Sequence, residues 1–148
     1  MNNAHLHIII NHLPITFMAL GFIVMLMGFL IKSDIVKRVA YLIFILGALF
    51  GLATFYSGES AKQLVKGLKV IDPRILTIHE ETALAFLALL YVLGGLSLLG
   101  LWVSWKKKTY AKIISFIIMA FSCVVIYFAV QAGFTGGEIR HSEIENLN

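Results

Sequence analysis

Four long apolar runs constrain the fold of this chain more than any other feature. A helix needs about 20 residues to cross the hydrocarbon core of a bilayer. The four runs are Ile8–Ile31, Val39–Tyr56, His79–Trp105 and Ala111–Phe134. Because lipid offers backbone groups no hydrogen-bond partner, segments of this kind must cross as helices. The mean hydropathy of +0.90 agrees with this class. The sequence therefore predicts an all-α integral membrane protein, a four-helix bundle that forms one domain over residues 1–148.

The distribution of positive charge predicts the orientation of the bundle. The first ten residues hold no Lys or Arg, whereas the two short links between runs are rich in them: Lys32, Lys37, Arg38, Lys106, Lys107, Lys108 and Lys112. The longer link and the tail also carry cations, at a lower density. By the positive-inside rule the short links are cytoplasmic, which predicts an N-out, C-out protein of a bacterial inner membrane. Trp102 and Trp105 fit an aromatic belt at the inner interface. The net charge of +4 is explained by topology and lipid headgroups and requires no nucleic-acid partner.

Local signals predict where the helices begin and end. Asn11 is a candidate N-cap for the first helix. Gly58 suits the end of the second helix, and residues 60–63 (Ser-Ala-Lys-Gln) resemble a capping box that opens a short amphipathic helix in the outer loop. Thr77 would open a second capping box and place His79 in the first turn of the third helix, where the helix dipole disfavours imidazolium. The glycine-rich residues 133–137 predict an exit that folds the tail back over the bundle.

The histidines all lie near ends of runs that face one side of the membrane in this topology. They are His5, His7, His12, His79 and His141, and three glutamates accompany them: Glu59, Glu80 and Glu138. The middles of the four runs contain no Asp, Glu, Lys, Arg or His, so no relay of ionisable groups crosses the bilayer. The pattern predicts a polar collar at the outer, periplasmic face.

Three functions are compatible with such a collar. A b-type haem takes histidine ligands and an apolar slot, and His12 and His79 could bind one iron if the first and third helices are diagonal, with His141 as a substitute. A non-haem centre of copper, zinc or iron could use the same histidines with Glu59 and Glu138. A structural role, in which the collar contacts a partner subunit or lipid headgroups, demands no particular chemistry.

Four short motifs appear in order along the chain. They are residues 11–15 (Asn-His-Leu-Pro-Ile), 57–59 (Ser-Gly-Glu), 79–80 (His-Glu) and 136–138 (Gly-Gly-Glu). Together they resemble a widespread family of small four-span bacterial membrane proteins that is classed as a domain of unknown function. Its members open with a His-Phe-Pro-Ile-like motif and close with Gly-Gly-Glu-Leu or similar. The resemblance covers nearly the whole chain and implies a four-helix membrane bundle.

The resemblance also implies shared polar positions, which are His12, Glu59, His79 and Glu138. Some members of that family resemble fusions with, or neighbours of, Rieske-type iron–sulfur domains, which implies a redox role. This chain departs from the pattern at Leu13, where many members have Phe, and at the acidic pair Glu80–Glu81 after the histidine. The added acids leave room for a metal other than haem.

The leading hypothesis from the sequence is a membrane-anchored b-type cytochrome subunit. His12 and His79 would be the axial ligands, and Glu59 and Glu138 would orient imidazoles or meet haem propionates through water. The subunit would pass single electrons to a quinone or a redox partner protein, as a homo-oligomer or as part of a complex. His5 and His7 are the histidines most easily left out of the site.

Overall fold

The chain folds into four long helices and, in the residues described, no strand. The computed structural model describes the backbone of residues 10–67 and 73–145, and the side chains of residues 10–58 and 73–138. The helices are α1 (His12–Leu30), α2 (Asp34–Gly67), α3 (Pro73–Trp105) and α4 (Ala111–Glu145). Each is long and apolar enough to cross a bilayer, over His12–Leu30, Asp34–Gly58, Pro73–Trp105 and Ala111–Glu138. The predicted all-α, four-span architecture is confirmed.

The helices form an antiparallel bundle with two different ends. Helix α1 packs against α2 and α4, and α3 packs against the same two, so α1 and α3 are diagonal. At the turn end, residues 31–33 and 106–110 connect successive helices. At the open end, α1 and α3 begin and the C-terminal parts of α2 and α4 lie beside them. This arrangement brings His12 and His79 to the open end.

One apolar core runs through the bundle, and large apolar side chains also cover its outside. Every helix contributes buried residues to the core, such as Met18, Phe44, Leu90 and Val125. Exposed apolar residues occur along all four helices, among them Ile23 at 54% and Phe116 at 67% exposure. A surface of this kind is costly in water and suits lipid chains, because burial of apolar area drives association with an apolar phase.

Both turns close with the same hydrogen-bond pattern. After α1, the Lys32 N–H donates to Phe29 O at 3.2 Å and the Ser33 N–H donates to Gly28 O at 3.0 Å. After α3, Lys107 and Lys108 repeat these bonds at 3.2 and 3.1 Å. These are Schellman motifs, which satisfy the last helical carbonyls. Glycine is the usual residue at the left-handed position, yet here it is Lys32 with φ 54° and Lys107 with φ 50°.

Three predicted helix boundaries differ from the structure. Helix α2 does not end at Gly58 but continues to Gly67, so the predicted separate amphipathic helix is not shown and its first residues extend α2. Helix α4 continues through the glycine-rich residues 133–137 to Glu145, which contradicts the predicted fold-back of the tail. No described glycine has a positive φ. Glycine permits a left-handed cap but does not impose one, and continuing the helix keeps every carbonyl bonded.

The capping predictions at the open end are also corrected. Helix α3 begins at Pro73, a favourable first residue, and not at Thr77. The Thr77 hydroxyl donates to Pro73 O at 2.9 Å, within the first turn. Asn11 precedes α1 but has helical dihedrals and makes no side-chain cap. Pro14 lies in the first turn, where the missing N–H costs little.

Small residues set the distance between α2 and α3. A Cβ added at Gly94 would come within 2.7 Å of the Ala48 Cβ. Gly51 likewise lies against Leu87 and Tyr91, and Gly47 against Phe17. Close backbone approach through small residues is a common mode of helix association in membranes.

Gly94→Ala should destabilise the bundle by about 1–3 kcal/mol, because the added methyl meets the side chain of Ala48. Gly95 is the matched control, since a Cβ at this position meets nothing within 4 Å. Gly95→Ala should be neutral or raise stability by about 0.5–1 kcal/mol, as expected for Ala over Gly in a helix. Thermal unfolding in detergent, followed by circular dichroism, checks both. Equal apparent Tm values for the two variants would contradict this packing.

Candidate functional site

His79 is the sequence-predicted residue whose surroundings the structure defines best. It is the seventh residue of α3, in the second turn, and its ring is partly buried. Its Nδ1 lies 3.0 Å from Thr135 Oγ1 on α4. This hydrogen bond joins the start of α3 to the end of α4 and fixes the direction of the ring.

The bonds of Thr135 are compatible with one histidine tautomer in particular. The Thr135 hydroxyl has one proton, and its oxygen lies 3.1 Å from Gln131 O and 3.2 Å from Ala132 O. A hydroxyl proton directed at either of these carbonyls, which only accept, leaves the hydroxyl oxygen to accept from an Nδ1–H of His79. A neutral ring in this tautomer has its lone pair on Nε2, a nitrogen with which imidazole binds metals.

A glycine surface lies beside this histidine. A Cβ added at Gly136 would be 3.2 Å from His79 Cε1, so the imidazole rests directly against the helix backbone. A Cβ added at Gly133 or Gly137 would meet nothing within 4 Å. The last described turns of α4 therefore combine an oriented imidazole with a surface free of side chains at three positions.

The other predicted site residues are placed less completely. His12 is the first residue of α1 and is exposed, and its carbonyl accepts from Thr16 Oγ1 at 2.9 Å. Glu138 is exposed on α4. Glu59 and His141 lie in α2 and α4 as backbone, with side chains outside the described set, and His5 and His7 lie outside the described residues. Thr135 and Gly136, which contact the His79 ring, belong to α4, and the pairing of His79 with His12 stays a prediction.

Polar contacts also fasten α1 to α2 at the open end. Thr54 Oγ1 donates to Ile10 O at 3.2 Å, and Ser57 Oγ donates to Thr54 O at 3.0 Å. Asn11 Oδ1 is buried and has no hydrogen-bond partner among the described residues. A buried polar atom of this kind is uncommon and accompanies binding sites as well as strain. The Asn-His motif at residues 11–12 thus combines an unsatisfied amide with an exposed imidazole.

A groove on the outside of the bundle runs between α2 and α3, near the middle of both helices. Its volume is about 260 Å³, and apolar side chains with two glycines line it, including Ala48, Leu52 and Gly95. Tyr91 also lines the groove, and its hydroxyl is buried without a hydrogen-bond partner in the described part of the chain. The groove is an apolar slot that contains one donor.

Sequence reasoning missed Thr135, Asn11 and Tyr91 as parts of these features. Nothing in the local sequence marks a threonine in an apolar helix as the partner of a histidine 56 residues earlier. It also missed the polar contacts at the turn end. There Arg38 donates to Ser104 Oγ at 2.8 Å and to Ser104 O at 2.9 Å. Tyr41 donates to Ser115 Oγ at 2.7 Å.

Fold and site define a four-span, all-helical membrane protein with an oriented histidine at its open end. Within residues 10–58 and 73–138, no group of three or more His, Cys, Asp or Glu side chains is arranged to hold a metal ion. Comparison with known proteins finds no matching family model, no curated relative and no solved structure with significant similarity. The resemblance to the small four-span family therefore rests on the short motifs alone and stays a prediction.

We expect the His79 ring to populate the Nδ1–H tautomer, with the Thr135 hydroxyl donating to the α4 backbone and accepting from the ring. The ¹⁵N chemical shifts of histidine-labelled protein distinguish the two tautomers, and His79→Gln identifies the signals. Thr135→Ser should keep the preference, whereas Thr135→Val should remove it and cost about 1–3 kcal/mol for the unsatisfied donor.

Thr82→Val is the matched control for this experiment. Thr82 makes the same kind of bond to its own helix, 2.7 Å to Ile78 O, but the described contacts include none with His79. The Thr82→Val variant should therefore leave the ¹⁵N chemical shifts of His79 unchanged. A wild-type ring in the Nε2–H form would contradict the assignment.

Proposed function

We propose that this protein is a membrane-anchored, b-type cytochrome-like electron-transfer subunit with its haem at the open end of the bundle. The observation that carries the proposal is the orientation of His79, whose Nδ1 lies 3.0 Å from Thr135 Oγ1. Nε2 would be the ligating nitrogen. A bound haem would supply an iron that gains and loses single electrons.

The donor set at the open end fits haem. The macrocycle brings four nitrogen ligands of its own, so the protein need supply only one or two. A zinc or copper ion without a macrocycle takes three or four protein ligands. Gly136 lets the His79 ring lie directly against α4, and Gly133 and Gly137 leave open space on the same helix for a flat ring. One oriented imidazole beside this open space meets the requirements of haem more fully than those of a bare metal.

His12 is the proposed second axial ligand, with His141 as the substitute. Helix α1 packs against α4, on which the His79 ring rests, so His12 and His79 approach the end of α4 from its two neighbours. Glu59 and Glu138 would orient imidazoles or meet haem propionates through water.

The proposed membrane is the bacterial inner membrane, with the open end on the periplasmic side. The support is the concentration of Lys and Arg at the turn end, which the positive-inside rule assigns to the cytoplasm. The haem would then lie near the outer face, where a periplasmic redox protein or a membrane quinone can approach.

A quinone is the proposed electron partner that the described surface accommodates best. The groove between α2 and α3 is apolar, as an isoprenoid tail requires, and the Tyr91 hydroxyl offers a donor to a quinone carbonyl. Tyr91 lies twelve residues after His79, about 18 Å along the helix. A ring held by Tyr91 would lie near the middle of the α3 span.

The purified protein, prepared in mild detergent with haem supplied during expression, should show a Soret band and contain one haem per chain. His79→Ala should lower haem affinity at least tenfold, as expected for loss of a ligand. His12→Ala should keep the haem but change its spectrum from six-coordinate to five-coordinate, because one axial ligand remains.

His141→Ala is the control for the second ligand. The His141→Ala variant should have an unchanged spectrum if His12 is the ligand. A five-coordinate spectrum in His141→Ala, together with an unchanged spectrum in His12→Ala, would assign His141 as the ligand instead. Stoichiometric haem in His79→Ala would exclude the proposed site. Metal without porphyrin, lost in both His12→Ala and His79→Ala, would support a non-haem centre in its place.

The orientation can be tested with single cysteines. Cys123 is the only cysteine and lies within the span of α4, so Cys123→Ala supplies the background. In intact spheroplasts a membrane-impermeant maleimide should label a Glu138→Cys variant and not a Lys108→Cys variant. After lysis both should react. The reverse pattern in intact cells would overturn the N-out, C-out arrangement.

A further inference from the structure

A surface pocket at the turn end combines aromatic walls with a cation. Trp102, Trp105 and Lys106 line it, and its volume is about 330 Å³. Trp102 and Trp105 are 51% and 70% exposed, at the end of the α3 span. Indole rings at this depth favour the boundary between headgroups and acyl chains. The pocket therefore lies at the depth where phospholipid phosphates are found.

The turn end carries a large excess of positive charge. Its cations are Lys32, Lys37, Arg38, Lys106, Lys107, Lys108 and Lys112, and the adjoining described carboxylate is Asp34. Asp34 pairs with Lys37 at 2.7 Å, and Lys37 is only 8% exposed beneath this pair. Arg38 is bonded to Ser104. Five exposed lysines are left without a carboxylate within ion-pair distance among the described residues.

Hydrogen bonds to the last carbonyls of α3 offset the partial negative charge that would otherwise repel an anion from the pocket. The C-terminus of a helix carries partial negative charge on its last carbonyls. At the end of α3 these carbonyls already accept bonds, from Lys106 N to Trp102 O at 3.0 Å and from Lys108 N to Val103 O at 3.1 Å. Arg38 covers Ser104 O with its guanidinium. The field at the pocket is therefore set by the lysine ammonium groups.

We propose that this pocket binds an anionic phospholipid. The Lys106 ammonium would pair with the phosphate, and the upper part of an acyl chain would lie against Trp102 and Trp105. Complementarity of charge favours an anionic lipid over a zwitterionic one, because each lysine near an anionic surface contributes about 1 kcal/mol. The aromatic walls favour a phospholipid over free phosphate, which has no apolar part to bury.

The two tryptophans make this site directly observable, because they are the only ones in the chain. The full-length protein is placed in nanodiscs of equal anionic and zwitterionic phospholipid, in which one or the other carries brominated acyl chains. Brominated anionic lipid should quench tryptophan fluorescence with an apparent affinity about fivefold higher than brominated zwitterionic lipid, the equivalent of about 1 kcal/mol. Equal quenching by the two lipids would overturn the proposal.

The Lys106→Gln variant should bind anionic and zwitterionic lipid with nearly equal apparent affinity, while its circular dichroism spectrum stays unchanged. Lys32→Gln, at the other turn of the same end, is the matched control and should retain most of the preference for anionic lipid. An equal loss in both variants would mean a diffuse surface potential and not a site, which would overturn the assignment. Relief of quenching by millimolar inorganic phosphate would identify free phosphate as the ligand and would equally overturn it. None of these outcomes depends on the haem proposal.

Discussion

The lack of hydrogen-bond partners in lipid governs this structure. A helix that stops leaves four carbonyls to be satisfied, whereas a glycine inside a helix costs only about 1 kcal/mol. Helices α2 and α4 accordingly run through Gly58 and through residues 133–137. The chain ends helices at the turn end, where Schellman motifs built on Lys32 and Lys107 satisfy the carbonyls. The same constraint that makes the chain helical thus also decides where its helices stop.

Continuous helices then allow few, specific contacts between them. Gly94 against Ala48, and Gly100 against Tyr41 and Ile118, hold the backbones close. Longer polar side chains then join the helices at the two ends of the bundle. Tyr41 on α2 reaches Ser115 on the diagonal helix α4 at the turn end, and His79 on α3 reaches Thr135 on the neighbouring α4 at the open end. The oriented histidine is therefore a product of the packing of α3 on α4, and not of its own local sequence.

The properties of single segments and the packing between helices together explain what the sequence could predict and what it could not. The four spans follow from runs of apolar residues, a property of each segment alone, and each run corresponds to one helix, although α2 and α4 continue eleven residues beyond the predicted ends. The partner of His79 depends on how α3 and α4 are rotated about their axes, which no short motif records. Capping signals failed for a related reason. A Thr hydroxyl satisfies itself equally well on a carbonyl four residues back, as Thr77 does on Pro73, so the motif alone cannot distinguish a cap from an internal helical residue.

The position of His79 in the second turn changes the physical account of its chemistry. From the sequence, the dipole of a helix that opens at this residue would disfavour imidazolium. That field falls off beyond the first turn, and α3 opens six residues earlier, at Pro73. The Thr135 hydroxyl, 3.0 Å from Nδ1 and also within bonding distance of the α4 backbone, is a defined partner of the ring. A hydrogen bond of this kind engages one of the two ring nitrogens and distinguishes it from the other. A dipole field acts on the charge of the whole ring and cannot make that distinction, which a metal-binding imidazole requires.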